Sequence, residues 1–198
     1  DWERELCKVK AGGVSVIATY VFWIHHEEKE GVWDFSGNRD LRHFVSLCKK
    51  LGLMVILRIG PWCHGECRNG GFPDWIRFQE KFRTRCDDPE YLFYVRRFYG
   101  KILEQAEGLL WKDNGPVIGV QLENEYRAYA NPDREGRKAH MHTLRKLAEA
   151  CGFVVPLYTA TAWGTATLNE METLPVLGGH ADAAWARTPD QLPESAHF

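Results

Sequence analysis

The sequence predicts an α/β fold built on a parallel sheet and, among such folds, a (β/α)8 barrel. Three observations carry that expectation. A helix, a glycine and an apolar strand recur in that order along the chain. Strand after strand then runs into a cluster of acids, amides and aromatic residues, as in a barrel whose site gathers at the C-terminal strand ends. Neither a G-x-G-x-x-G nor a G-x-x-x-x-G-K stretch is present, so a doubly wound nucleotide-binding sheet lacks its phosphate loop.

Taken in order, Trp2, Leu6 and Val9 keep helical spacing ahead of Gly12-Gly13, and residues 14–18 follow as a strand. Leu41, Phe44, Val45, Cys48 and Leu51 form the next stripe, Gly52 supplies a left-handed stop, and residues 53–57 are a continuous apolar strand. Asp88 is the N-cap and Pro89 the first residue of a helix that carries Tyr91, Leu92, Val95, Phe98, Ile102 and Ala106 on one side. That helix leads to a strand from Val117. Met141, Leu144, Leu147, Ala148 and Cys151 make the last stripe, Gly152 stops it, and residues 153–158 follow as a strand. A fifth, weaker strand falls at Val176-Leu177. With no low-complexity linker, residues 1–198 read as one domain.

Composition narrows the partners. A net charge of -2 gives no electrostatic footprint for nucleic acid or an anionic membrane, and no apolar run reaches spanning length. No basic and apolar leader opens the sequence. Six cysteines are dispersed rather than framed as a scaffold; Cys48 and Cys151 fall on helix stripes as reduced core residues, while Cys63, Cys67 and Cys86 remain open to disulfide pairing in an exported protein.

The chemistry concentrates in Gly119-Val120-Gln121-Leu122-Glu123-Asn124-Glu125-Tyr126, an apolar strand that ends in two acids, an amide and a phenol. Carboxylates at the end of a buried strand carry a desolvation cost that asks for a reason. A carboxylic acid held there can protonate a leaving group, and Asn124 beside it can grip a substrate hydroxyl. Side-chain alternation would put Gln121, Glu123 and Glu125 on one face, so spacing does not choose between the glutamates. Two further polar strand ends lie upstream, in Thr19-Tyr20-Val21-Phe22-Trp23-Ile24-His25-His26-Glu27 and from Arg58 to Pro73.

These blocks, in this order and together with Asp34-Phe35-Ser36-Gly37, resemble glycoside hydrolase family 35, the β-galactosidases that retain anomeric configuration. The resemblance runs through nearly the whole sequence. It implies a (β/α)8 barrel of which about strands 2 to 6 are present, the chain opening in what resembles the first helix. It assigns Glu125 as general acid/base and Asn124 as a ligand to the hydroxyl next to the anomeric carbon, where the bland alternatives are a solvated acid and a turn-forming amide. It assigns Glu66, in the loop with His64 and Gly65, to sugar hydroxyls, and Tyr20 to a sugar contact, where a core tyrosine is the default. The nucleophile would lie on a later strand beyond Phe198, which leaves residues 1–198 inactive and poorly stable alone.

The sequence departs from the family in two places. His64-Gly65 followed by Glu66-Cys67 replaces the usual Cys-Ala and Glu-Trp, and Ile24 stands where Asn is usual. Trp23, Trp62 and Trp75 are equally suited to stacking on sugars and to packing. His25, His26, Cys63, His64 and Cys67 crowd one end, yet Cys63 and Cys67 lack a second ligand pair at zinc spacing, so no metal is expected. Lys49-Lys50 and the stretch from Arg83 to Arg85 read as solvated faces. The expected function is a retaining exo-β-galactosidase without a cofactor, acting on a β-galactoside carbohydrate, with no nucleic acid or membrane partner. The alternatives are a related β-glucosaminidase or β-glucosidase, or a non-catalytic carbohydrate-binding barrel. The resemblance favours an extracytoplasmic compartment and leaves the oligomeric state open.

Overall fold

The computed structural model describes residues 1–126, 133–160 and 176–177. Helix α1 (Trp2–Ala11) is capped by Asp1, whose carboxylate accepts from the Arg4 amide, with Glu3 and Glu5 in its first turn and Lys8 and Lys10 in its last. Those charges complement the helix dipole. Strand β1 (Val16–Tyr20) and a single turn, α2 (Trp23–His26), come next. Helix α3 (Leu41–Lys50) is capped by Asp40 and followed by β2 (Met54–Gly60). A long connection holding the short α4 (Asp74–Arg77) leads to α5 (Pro89–Ala106), where the Asp88 carboxylate accepts from the Glu90 and Tyr91 amides. Strand β3 (Val117–Leu122), α6 (Arg134–Cys151), β4 (Leu157–Ala160) and β5 (Val176–Leu177) complete the described elements.

The five strands lie in the order β1-β2-β3-β4-β5, every neighbouring pair parallel. A doubly wound sheet reverses its strand order at a switch point; this sheet never does. Unreversed βα succession is the topology of a (β/α)8 barrel, and the described chain is part of one.

Alternation along β2 divides its side chains cleanly. Val55, Leu57 and Ile59 are fully buried among residues of the helical layer, while Met54, Ile56 and Arg58 take the other face and are half-buried. Register then builds one row across four strands: Tyr20 pairs with Arg58, Arg58 with Gln121, and Gln121 with Tyr158. The helical side is packed by aromatic rings. Trp23 stacks on Phe98 at 4.7 Å and meets Trp75 edge-on at 5.9 Å.

Three strand boundaries differ from the sequence expectation, each for a local reason. Strand β1 begins at Val16 because Gly13 turns with φ +91° and the Val14 amide still bonds back to Val9. Strand β2 runs on through Arg58, whose guanidinium lies 3.9 Å over the Tyr20 ring instead of ending the strand. Strand β4 begins only at Leu157, since Val154 is 62% exposed and Pro156 has no amide to donate, though its carbonyl accepts from Val120 at 3.0 Å. All six cysteines are free here, Cys63, Cys67 and Cys86 among them.

Candidate active site

The polar strand ends are laced to one another. The Val21 amide donates to the Arg58 carbonyl at 2.9 Å, and the Glu123 amide to the Gly60 carbonyl at 2.7 Å. The Glu125 amide donates to the Ala160 carbonyl at 3.2 Å. The ends of β1, β2, β3 and β4 are therefore fixed relative to each other by backbone bonds.

The segment 123–125 does not continue β3. Strand β3 ends at Leu122, and Glu123 and Glu125 both take left-handed backbone conformations, φ +54° and +49°. Such residues are uncommon outside glycine and need support from their surroundings. This overturns the expectation that Gln121, Glu123 and Glu125 share a face by simple alternation. The turn separates the glutamates. Glu123 is 0% exposed and ion-paired to Arg85, with Nη2 at 2.5 Å and Nε at 3.1 Å from its Oε2. Glu125 is half-buried, and its carboxylate is close enough to act electrostatically on the Tyr20 hydroxyl.

The basic stretch from Arg83 to Arg85 reads in sequence as a solvated face, yet Arg85 is 5% exposed. Its guanidinium lies between the Trp62 ring at 4.7 Å and the Tyr126 ring at 5.1 Å, and Nη2 also donates to the Asn124 carbonyl at 3.2 Å. A run of arginines looks alike whether solvated or paired; the signal that could have found it is Glu123, an acid on a strand end that needs a buried partner.

Asn124 is 4% exposed and oriented through its side-chain oxygen. Oδ1 accepts from Arg58 Nη2 at 2.6 Å and from Gln121 Nε2 at 3.1 Å. Two members of the cross-strand row thus hold the amide, and with Oδ1 filled, the NH2 is the end available to donate elsewhere. Tyr20 stacks on Phe22 at 5.1 Å, with burial pushing its hydroxyl pKa up and Arg58 working against that rise. Burial likewise raises Tyr158, again opposed by Arg58.

The loop after the cis Gly60-Pro61 bond carries the remaining expected residues. His64 meets the Tyr20 ring edge-on at 5.4 Å, which brings it into the cluster. Its Nδ1 accepts from the Glu66 amide at 3.2 Å and lies 3.4 Å from Glu66 Oε2. Glu66 itself is not gathered in: its side chain is 89% exposed, and Gly65 is exposed too. Trp23 and Trp75 are packing residues that donate to Glu27, Trp23 to its carboxylate at 2.7 Å and Trp75 to its carbonyl at 3.0 Å. Glu27 is a buried acid that sequence reading missed. Arg97 and the Gly31 amide complete its shell, while burial still pushes its pKa up against those bonds. His26 is buried on Phe35, and among the described residues no group of three His, Cys, Asp or Glu could hold a metal ion. No helix among them is long and apolar enough to cross a membrane.

Fold and site together define a (β/α) barrel with acids, an amide and aromatic rings converging at the C-terminal rim of consecutive strands. The model of glycosyl hydrolases family 35 matches residues 1–190, and the chain belongs to that family. It is 40% identical over 144 residues to a beta-galactosidase of Mus musculus, covering 73% of this chain and 22% of that one. To Beta-galactosidase 17 of Arabidopsis thaliana it is 37% identical over 194 residues, 97% of this chain and 27% of the relative. The chain thus spans about a fifth to a quarter of the length of these curated relatives. Among solved structures, a GH5_18 protein of Streptomyces cattleya in complex with GlcNAc superposes with TM-score 0.65 at 15% identity, over 81% of this chain and 39% of that chain. A beta-galactosidase of Bacillus circulans sp. alkalophilus gives 0.57 at 13%, over 81% and 34%. At such identities the likeness is one of fold.

Proposed function

We propose that the protein to which this chain belongs is a retaining exo-acting β-galactosidase, with Glu125 as general acid/base. One observation carries the choice of residue. Of the two glutamates after β3, Glu123 is spent in a buried ion pair with Arg85, whereas Glu125 is half-buried at the rim beside Tyr20. Glu125 protonates the glycosidic oxygen as the bond to the anomeric carbon breaks, then takes the proton of the incoming water. Asn124, held by Arg58 and Gln121, donates to the hydroxyl next to the anomeric carbon, a bond that strengthens as oxocarbenium character develops. Tyr20 and His64 form the sugar-facing side, with the exposed Gly65 and Glu66 on the adjoining loop at its outer edge. The attacking carboxylate comes from a later strand of the longer protein, as the resemblance implies.

The test is Glu125→Gln in the full-length protein. Hydrolysis of natural galactosides, whose alkoxide leaving groups need a proton, should fall ~10²–10⁴-fold, and cleavage of an activated aryl galactoside much less. Azide should restore turnover on the activated substrate. Equal loss on both, without azide rescue, would sink the assignment.

A second reading keeps the machinery and changes the sugar. His64, which departs from the family pattern, sits edge-on to Tyr20. A panel of aryl glycosides differing only in the sugar separates galactoside from glucoside and glucosaminide.

A further inference from the structure

The structure assigns Arg85 as the positioning residue of the acid-bearing turn, the group that holds Asn124 and Glu125 at the rim without touching substrate. This rests on Glu125 being the acid. Two left-handed residues flank Asn124, and a turn of that kind persists only where several contacts over-determine it. Backbone bonds to Gly60 and Ala160 anchor its two ends. Its middle is held by Arg85, which reaches the Glu123 carboxylate and the Asn124 carbonyl with one guanidinium.

Arg85 also joins the turn to the loop that carries His64 and Glu66. Trp62 in that loop lies 4.7 Å from the guanidinium on one side, and Tyr126 lies 5.1 Å away on another. Tyr126 closes the arrangement by donating its hydroxyl to the Arg85 carbonyl at 2.6 Å. Arg85 itself takes φ +56°, so its own backbone is set for this reach.

A buried ion pair is a poor means of adding stability, because desolvating two charges offsets much of their attraction and apolar replacements often do as well. What it supplies is direction. The planar fork fixes distance and angle to its acceptors at once, which a lysine ammonium does not. Displacing a reacting group by an ångström costs on the order of 10²-fold in rate.

The test uses the full-length protein and its Arg85→Lys, Arg85→Met, Arg85→Met/Glu123→Met and Glu125→Gln variants. For each, kcat and KM are measured on galactosides with graded leaving groups, beside the folded fraction by circular dichroism. Arg85→Lys should lose ~10²-fold in kcat on poor leaving groups and far less on activated ones, with KM changing less than kcat. The double variant removes both buried charges, so it should fold even if Arg85→Met does not, and should show the same leaving-group dependence. A loss uniform across leaving groups and proportional to the unfolded fraction would make Arg85 merely structural. A double variant with unaltered kinetics would overturn the assignment outright. Glu125→Gln separates the two ideas. If it lacks leaving-group dependence the acid is misassigned; if it shows it and Arg85→Lys does not, only the positioning role fails.

Discussion

The Trp62 indole lies flat on Gly70: a Cβ built at Gly70 would stand 2.0 Å from the ring carbon Cε3. Gly70 also has φ +67°, so a side chain is excluded by backbone and by space together. The Cys63 amide donates to the Gly70 carbonyl at 2.8 Å, which closes the loop around the indole.

Gly70→Ala should therefore destabilise the protein by about 1–3 kcal/mol, the usual range for overpacking, with strain at positive φ pushing toward the upper end. Urea unfolding measures it. Because Trp62 also faces the Arg85 guanidinium, the variant should weaken turnover as well as stability. A variant of unchanged midpoint would mean that the loop can open without cost.

Glu123 and Glu66 should respond to the same substitution in opposite ways. Glu123→Gln strands the buried Arg85 charge, and breaking one side of a buried pair costs about 3–5 kcal/mol. Glu66→Gln leaves stability alone, since its side chain is 89% exposed. If Glu66 accepts sugar hydroxyls, its loss should weaken galactose binding by roughly 1.5–3 kcal/mol. Thermal unfolding and calorimetry with galactose on the full-length protein read both. Unchanged affinity in the Glu66 variant would remove that residue from the site.

The helix-glycine-strand rhythm was legible because glycine stops and apolar runs are local signals. Asp88 and Pro89 open α5 where their spacing predicts, and Gly152 ends α6 at φ +110°. The strand-end polar blocks were equally plain. What sequence could not show was pairing across distance: Arg85 and Glu123 lie 38 residues apart, and Arg97 and Glu27 lie 70 apart. Nor could alternation anticipate two left-handed glutamates in one turn, because φ > 0 at such residues is imposed by tertiary contacts. The separation of Glu123 from Glu125 by environment is therefore a property of the fold.

The Asp88 cap offers a check on local energetics. Its carboxylate accepts from Glu90 and Tyr91 and, through Oδ2, from the Arg83 amide at 3.2 Å. Asp88→Ala should cost about 1 kcal/mol in cap energy, with the Arg83 bond adding to it. A shift in urea midpoint at unchanged slope is the expected signature.

Asp87 predicts an acid-range dependence of stability. Burial tends to raise its pKa, but hydrogen bonds from His140 at 2.7 Å and Thr143 at 2.8 Å hold it below the ordinary carboxylate value. A carboxylate whose folded pKa is depressed binds its proton more readily when unfolded. Its contribution is therefore present above the unfolded value near ~3.9 and is lost as pH falls through the depressed folded value. Glu27, whose pKa is raised chiefly by burial, works with opposite sign: its contribution is present at low pH and is lost as pH rises through its folded value. The two would overlap in a simple acid titration of stability. Comparing the protein with its Asp87→Asn variant isolates one of them. The stability difference between the two should be largest at neutral pH and shrink steadily below pH ~4. A difference that stays constant down to pH 2, measured by urea unfolding at each pH, would show that the Asp87 carboxylate charge contributes nothing to holding α6 against the loop before α5.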